Sequence, residues 1–335
     1  MRNAQQYPGG KMLYPLLFIP AMKDYLWGGR GLEKMGKILP EGIVAESWEI
    51  SGHPDGLGKV SNGVLAGLTL PELMERHGRD LIGTALPESA LSMFPLLVKF
   101  IDANDRLSVQ VHPDDAYAGT HENGSLGKTE MWVVLEAKPG AKLVYGLKSG
   151  VTREQFARAV EGNCIASCLN EVPAGKGDVF DIPAGLVHAI GSGLMMVEIQ
   201  QNSNATYRVF DYDRVDATGI SRPLHIEKAM DVINFSPPCS GMLVKSGLSN
   251  GLGAIRTTLA ANRYFVVERC DVDGMLGGET DGSRFEMIIM MEGNALLVYP
   301  DGEMQVHMGD SMLLPAKLGS YCMKGTFSAL RSWVP

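Results

Sequence analysis

Short apolar runs closed off by glycine and proline recur along almost the whole chain, and no other feature restricts the fold as much. Met93-Phe94-Pro95-Leu96-Leu97-Val98, Met131-Trp132-Val133-Val134-Leu135 and Met195-Met196-Val197-Glu198-Ile199 have the length of strands. The 40 glycines and 18 prolines in 335 residues supply the turns between them. Three segments carry helical spacing instead. Thr69 to Ile82 opens with Thr-Leu-Pro-Glu, a capping-box signature with an early proline. Thr152 to Val160 opens with Thr-Arg-Glu-Gln, and Leu224 to Ile233 follows a proline. The expected class is therefore mainly β, a sandwich or barrel with a few short helices, not a parallel βαβ sheet. The chain has no G-x-G-x-x-G and no Walker lysine loop, which sets aside nucleotide enzymes of those classes.

Composition narrows the class further. Hydrophobic residues make up 45% and charged residues 20%, the balance of a folded globular chain. With 30 basic and 38 acidic side chains the formal charge is −8, and without a basic run nucleic acid is not an expected partner. No apolar stretch approaches the roughly 18 residues of a membrane span. The opening MRNAQQYPGGKM has no apolar core of a secretory signal, so a soluble, cytoplasmic protein is expected, as monomer or homodimer. Five scattered cysteines, Cys164, Cys168, Cys239, Cys270 and Cys322, suit reduced thiols better than a disulfide framework or a zinc finger. Residues 1–12 read as a polar tail. The texture changes at Ser236-Pro237-Pro238, which divides the chain into domains 13–236 and 239–335.

Chemistry concentrates in three places. Along Leu107-Ser108-Val109-Gln110-Val111-His112, alternation puts Ser108, Gln110 and His112 on one face and the apolar residues on the other. This face is either a cavity wall or a polar outer surface. Gly177-Asp-Val-Phe-Asp-Ile-Pro183-Ala-Gly185-Leu-Val-His188 reads G-x5-P-x-G-x2-H, the second motif of the cupin fold, in which the histidine ligates a metal inside a small β-barrel. Pro183 and Gly185 shape a tight turn and His188 opens the next strand. The third place is Gly127-Lys128-Thr129-Glu130-Met131-Trp132, where alternation aligns Lys128, Glu130 and Trp132 and offers Glu130 as an anionic ligand. Gln110, His112, Glu130 and His188 make a nitrogen and oxygen donor set that suits a catalytic Zn²⁺, with iron or manganese as close alternatives. His121, in the Gly119–Gly127 loop, is a rival ligand.

These segments resemble type I phosphomannose isomerases, most of all the shorter bacterial form. The resemblance adds PAMKDYLWGG at 20–29, Glu46-Ser-Trp-Glu-Ile-Ser51, Phe94 to Asp102 and EIQQNSNATYRVFDYDR at 198–214, all in family order. It implies two cupin-type jelly-roll barrels and interconversion of mannose 6-phosphate and fructose 6-phosphate at one Zn²⁺ per chain, through a cis-enediol. The implied ligands are His112, Glu130 and His188, with Gln110 as a fourth ligand or only a neighbour. Arg208 falls at the family's catalytic arginine. It is always protonated, so it stabilises charge and cannot be the base. Glu49, Lys128, Glu198 and water on the metal are the candidates for base work. Lys99, Ser108 and Lys128 are candidate contacts to the sugar phosphate, against a plain reading as surface ion pairs. Trp27 and Trp132 are pocket walls or core. The other readings are an iron dioxygenase of the cupin class and a metal-bearing sugar-binding protein without turnover.

Near the C-terminus, Gly309-Asp-Ser-Met-Leu-Leu-Pro315-Ala-Lys317-Leu-Gly-Ser320 repeats the G-x5-P opening. Lys317 and Ser320 stand where glycine and histidine stood. The expectation is a second cupin without a metal site, with His307 structural.

Overall fold

The computed structural model describes residues 13–215, 218–236, 248–249 and 252–335. The expected polar tail at 1–12, Cys239 and most of the expected domain boundary lie outside these residues. The chain forms two compact units that interleave in sequence. One takes residues up to 21, 48–95 and 244–335; the other takes 22–47 and 96–243. Residues 48–95 group with the C-terminal strands.

The 96–243 unit carries the candidate chemistry on two sheets. A six-stranded sheet runs through Val179–Ile182, Glu130–Ala137, Leu194–Gln201 and Leu96–Ala103. It continues into Glu46–Ile50 and Ala21–Lys23, where the chain passes between units. A five-stranded sheet has the order Tyr207–Phe210, Val109–Val111, His188–Ile190, Lys142–Leu147, Leu169–Pro173. Their inner faces share one core, with Trp132 and Val134 from the first sheet meeting Leu143, Tyr145 and Ile190 from the second. Trp27 is buried in the same core. The outer face of the five-stranded sheet presents Val109 and Val111 to Phe156 and Ala159 of helix Arg153–Glu161 and to Ala229 of helix Ile226–Val232. That division of faces is what strand alternation requires of Ser108, Gln110 and His112.

The other unit is built on a nine-stranded sheet, in which three strands of 14 or 15 residues, Val266–Thr280, Glu286–Tyr299 and Gly319–Trp333, enclose their own core. Strands this long must bend to close over a core. Gly274 and Gly325, directly paired at φ 143° and 150°, allow the bend, since a Cβ at either would meet a backbone oxygen at 2.6 or 2.5 Å. The fold is thus mainly β with few helices, as expected. The hydrogen-bonded paths among the described strands are open sheets and not closed barrels.

Local signals were mostly followed. The capping boxes at Thr69 and Thr152 both form, each of the kind that stabilises a helix by about 1 kcal/mol. The first helical segment breaks at Gly78 into Leu70–His77 and Arg79–Ile82. The strand expected from Met93 begins at Leu96, because Pro95 has no N–H for the ladder. One helix lies outside the three segments with helical spacing. Asp115–His121 occupies the start of the expected loop, capped by the Asp114 side chain, which accepts from the Tyr117 N–H at 2.8 Å.

Candidate metal centre

The turn before His188 shows why its sequence is so restricted. Leu186 N–H donates to the Pro183 carbonyl at 3.1 Å, and Gly185 sits at φ 85°, as the third residue of a type II turn must. A side chain there would also meet the Val232 carbonyl oxygen at 2.9 Å. The turn delivers His188 to the inner face, where the register pairs it with Gln110 on one side and Tyr145 on the other. Gln110 in turn pairs with Arg208. Arg208, Gln110, His188 and Tyr145 therefore form one row across the five-stranded sheet, side chains on one face.

Opposite this row stands Glu130, at the start of its strand. The ligand atoms of His112, Glu130 and His188 all lie within 4.8 Å of one another, and all three residues are buried. Glu130 Oε2 is 3.6 Å from His112 Nε2 and Oε1 is 3.4 Å from His188 Nε2. Each imidazole has its Nδ1 held by a backbone carbonyl, Ala205 for His112 and Leu186 for His188, both at 2.9 Å. Carbonyls only accept, so each Nδ1 carries the proton and each Nε2 turns a lone pair toward the carboxylate. Neither Glu130 oxygen accepts a well-aligned hydrogen bond from the protein. A buried carboxylate without such partners, faced by two Nε2 lone pairs, fits a divalent cation.

Lys128 partly fills that need. Its ammonium lies 2.8 Å from Glu130 Oε2 and 3.0 Å from His112 Nε2, so a cation at the centre would displace it from this pairing. Gln110 Nε2 is 3.3 Å from His188 Nε2, close enough for the amide to reach the same centre.

The electrostatics favour the ligand forms. Burial, reinforced by the Lys128 charge, lowers His112 to about 3, and burial lowers His188 as well. Burial alone would raise Glu130, yet Lys128 and the two histidines hold it well below the ordinary carboxylate range. For His112 the folded value lies below the unfolded one, so its contribution to stability is complete above about 6.5 and is lost as pH falls toward 3. Metal-free protein should therefore lose urea resistance progressively below pH 6.5, and a His112→Gln variant should show a shallower loss. Equal slopes in the two proteins would refute this assignment.

The remaining candidates are placed as follows. The Lys99 ammonium is buried 3.0 Å from Glu198 Oε1 and 3.5 Å from Glu46 Oε2. It is engaged by two carboxylates, an ion pair like the alternative reading of this lysine but buried instead of at the surface. Trp132 Nε1 donates to Glu198 Oε2 at 2.9 Å, and burial with the nearby Glu130 charge raises the Glu198 carboxyl. Trp132 is thus a core residue, with its ring edge-on to His188 at 5.4 Å. Ser108 Oγ accepts from Arg208 Nε at 3.2 Å and donates to Gln110 Oε1 at 3.3 Å. Arg208 also donates to the Pro223 carbonyl at 3.2 Å, while Asp211 is held by Arg214 and Arg222. Glu49 is buried in the strand Glu46–Ile50 and is not one of the three clustered donors. His121 is exposed at a helix end and stacks on Tyr117 at 3.9 Å, which takes it out of the ligand set.

In the nine-stranded unit the equivalent turn ends differently. Leu318 N–H donates to the Pro315 carbonyl, but the third position is Lys317, paired with Asp80, and the positive φ has moved to Gly319. The buried carboxylate there, Glu286, is neutralised by a two-pronged Arg331 contact and by the Tyr321 hydroxyl. An arginine fork satisfies a carboxylate without a metal. We expect one equivalent of tightly held divalent metal per chain and none in residues 239–335. Metal analysis of the His188→Ala protein checks this, and a retained equivalent there would overturn it.

The comparisons with known proteins agree on one relationship. Residues 16–139 match the family model described as phosphomannose isomerase type I, catalytic domain, and residues 255–334 match that of the mannose-6-phosphate isomerase cupin domain. The chain is 38% identical over 311 residues to mannose-6-phosphate isomerase ManA of Bacillus subtilis, covering 93% of this chain and 96% of that one. It is 36% identical to mannose-6-phosphate isomerase of Streptococcus mutans, covering 96% and 98%. The crystal structure of the Bacillus subtilis mannose 6-phosphate isomerase superposes with a TM-score of 0.87 at 35% identity, over 95% of this chain and 99% of that one. A Salmonella typhimurium phosphomannose isomerase, 15% identical with a TM-score of 0.75 over 96% and 99%, bears on the fold alone.

Proposed function

Because the chain belongs to the type I phosphomannose isomerase family, we propose that it interconverts mannose 6-phosphate and fructose 6-phosphate, using one Zn²⁺ held by His112, Glu130 and His188 with Gln110 beside them. The observation that carries this reading is the convergence of three buried donors from facing sheets, with Arg208 in the register row that contains His188. Zinc, when bound, supplies a Lewis acid for the sugar's carbonyl.

The reaction moves a proton between C1 and C2 and builds negative charge on two oxygens in the cis-enediol. Lys128, already within hydrogen-bond reach of the cluster, is assigned proton transfer at those oxygens. Arg208 stabilises the developing charge, its guanidinium steadied by Ser108 and the Pro223 carbonyl. Glu198, oriented by Lys99 and Trp132, is assigned to the sugar hydroxyls, and Ser108 to the polar side of the substrate. Glu49 is retained as a second acid–base residue on the family resemblance. Burial of the cluster keeps bulk water away from the enediol.

A coupled assay for fructose 6-phosphate formation, with metal analysis of the same sample, tests the proposal. Stoichiometric metal without turnover would leave a sugar-binding protein and refute the isomerase reading. Among the described residues no helix is long and apolar enough to cross a membrane.

A further inference from the structure

Three residues beyond Arg208 the chain makes an unusual turn. Tyr212 and Asp213 both adopt positive φ, 58° and 54°, a backbone conformation that L side chains rarely take in succession. The turn is pinned by Asp211, whose buried carboxylate accepts from two arginines. Arg214 Nη2 reaches Oδ1 at 2.5 Å, and Arg222 forks onto both oxygens at 2.6 and 2.8 Å. Arg214 Nη1 also donates to the Arg106 carbonyl at 2.5 Å, and the Arg106 guanidinium lies 3.7 Å over the Tyr212 ring. Arg222 is followed by Pro223, whose carbonyl accepts from Arg208 Nη1 at 3.2 Å. Two residues further, His225 exchanges backbone and ring hydrogen bonds with Arg208, at 2.8 and 3.2 Å.

We propose that Asp211 is a positioning residue for Arg208: by clamping Arg222 it fixes Pro223 and His225, which hold the arginine in the row beside Gln110. The clamp acts electrostatically as well. Arg214 and Arg222 both bind this one carboxylate, and its charge also acts on Arg208. Burial and the Arg222 charge both disfavour the protonated Arg208, and the Asp211 charge opposes them. Without that carboxylate, Arg222 is freed from its fork and repels Arg208, and the Pro223 carbonyl loses its anchor. The inference rests on the proposed role of Arg208 in turnover.

Asp211→Asn keeps the side-chain shape and removes the charge. The expected result is a fall in kcat of roughly tenfold or more, in the range that misplacing a catalytic group produces. KM should stay within about twofold, since ground-state binding is not the target. Metal content should be unchanged. In the Arg208→Ala background, Asp211→Asn should cost nothing further, because the group it positions is gone. A structural role alone would lower the melting temperature and multiply with Arg208→Ala. Should Asp211→Asn fail to fold, Arg222→Lys keeps the charge and loses the fork, and the same cycle applies with the same expected coupling. Normal kcat in the folded single variant, or multiplicative losses in the double, overturns the proposal while leaving the role of Arg208 standing. A normal Arg208→Ala enzyme overturns both.

Discussion

The His188→Ala protein should lose its metal and its turnover together. His188 offers Nε2 to the centre because the Leu186 carbonyl holds the proton on Nδ1, and no other histidine joins the described cluster to replace it. Loss of outer-shell partners alone weakens metal sites by about 10–100-fold, so removal of a ligand should exceed that range. Glu130→Gln should have an effect of similar size for a different reason. It removes the charge that balances the cation and leaves two neutral imidazoles facing a neutral amide. Gln110→Ala discriminates between ligand and neighbour: a large fall in affinity assigns the amide to the metal, and a small one assigns it to the packing of His188. Metal content by elemental analysis, dissociation constants by competition with a chelator and kcat on the same preparations provide the measurements. His188→Ala with full metal content and activity would refute the site.

Arg208→Ala should lower kcat by roughly 10²-fold or more, the usual effect of removing a preorganised charge donor from a transition state. Metal content should stay the same, because arginine is not a ligand. Lysine should rescue only part of the loss, since an ammonium lacks the planar fork that spans two oxygens. The competing reading of Arg208 is a structural ion pair with Asp211 or Asp213, and for Asp211 the geometry weakens it. Arg214 and Arg222 already occupy that carboxylate, and the two described side-chain contacts of Arg208 are to a hydroxyl and a backbone carbonyl. Near-normal kcat with a depressed melting temperature would reverse this conclusion.

Much of the site was legible because it follows strand geometry. Alternation alone places Ser108, Gln110 and His112 on the face opposite Val109 and Val111, and a strand cannot arrange them otherwise. The same rule aligns Lys128 with Glu130, and the structure brings their charges to 2.8 Å. The P-x-G turn was readable because glycine takes the positive φ of its third position without strain. The helix Asp115–His121 has little sequence signal because Gly119 and Thr120 are weak helix formers and the Asp114 cap has no partner signal three residues on.

What periodicity could not supply were contacts between residues distant in the chain. The tautomer of His112 is set by the Ala205 carbonyl, 93 residues away, and no local pattern encodes that hydrogen bond. Which carboxylates pair with Lys99 (Glu198 and Glu46, from other strands) is also not written in its local sequence. The association of residues 48–95 with the C-terminal strands likewise depends on which apolar faces meet, as when Phe94 packs on Phe285 at 4.8 Å. The amino-acid sequence by itself determined which side chains share a face, since backbone geometry has a period of two and tight turns demand particular residues. Only the tertiary structure decided which faces oppose each other, which lone pairs point inward and which charges are already paired, because those depend on packing between segments that the chain brings together only on folding.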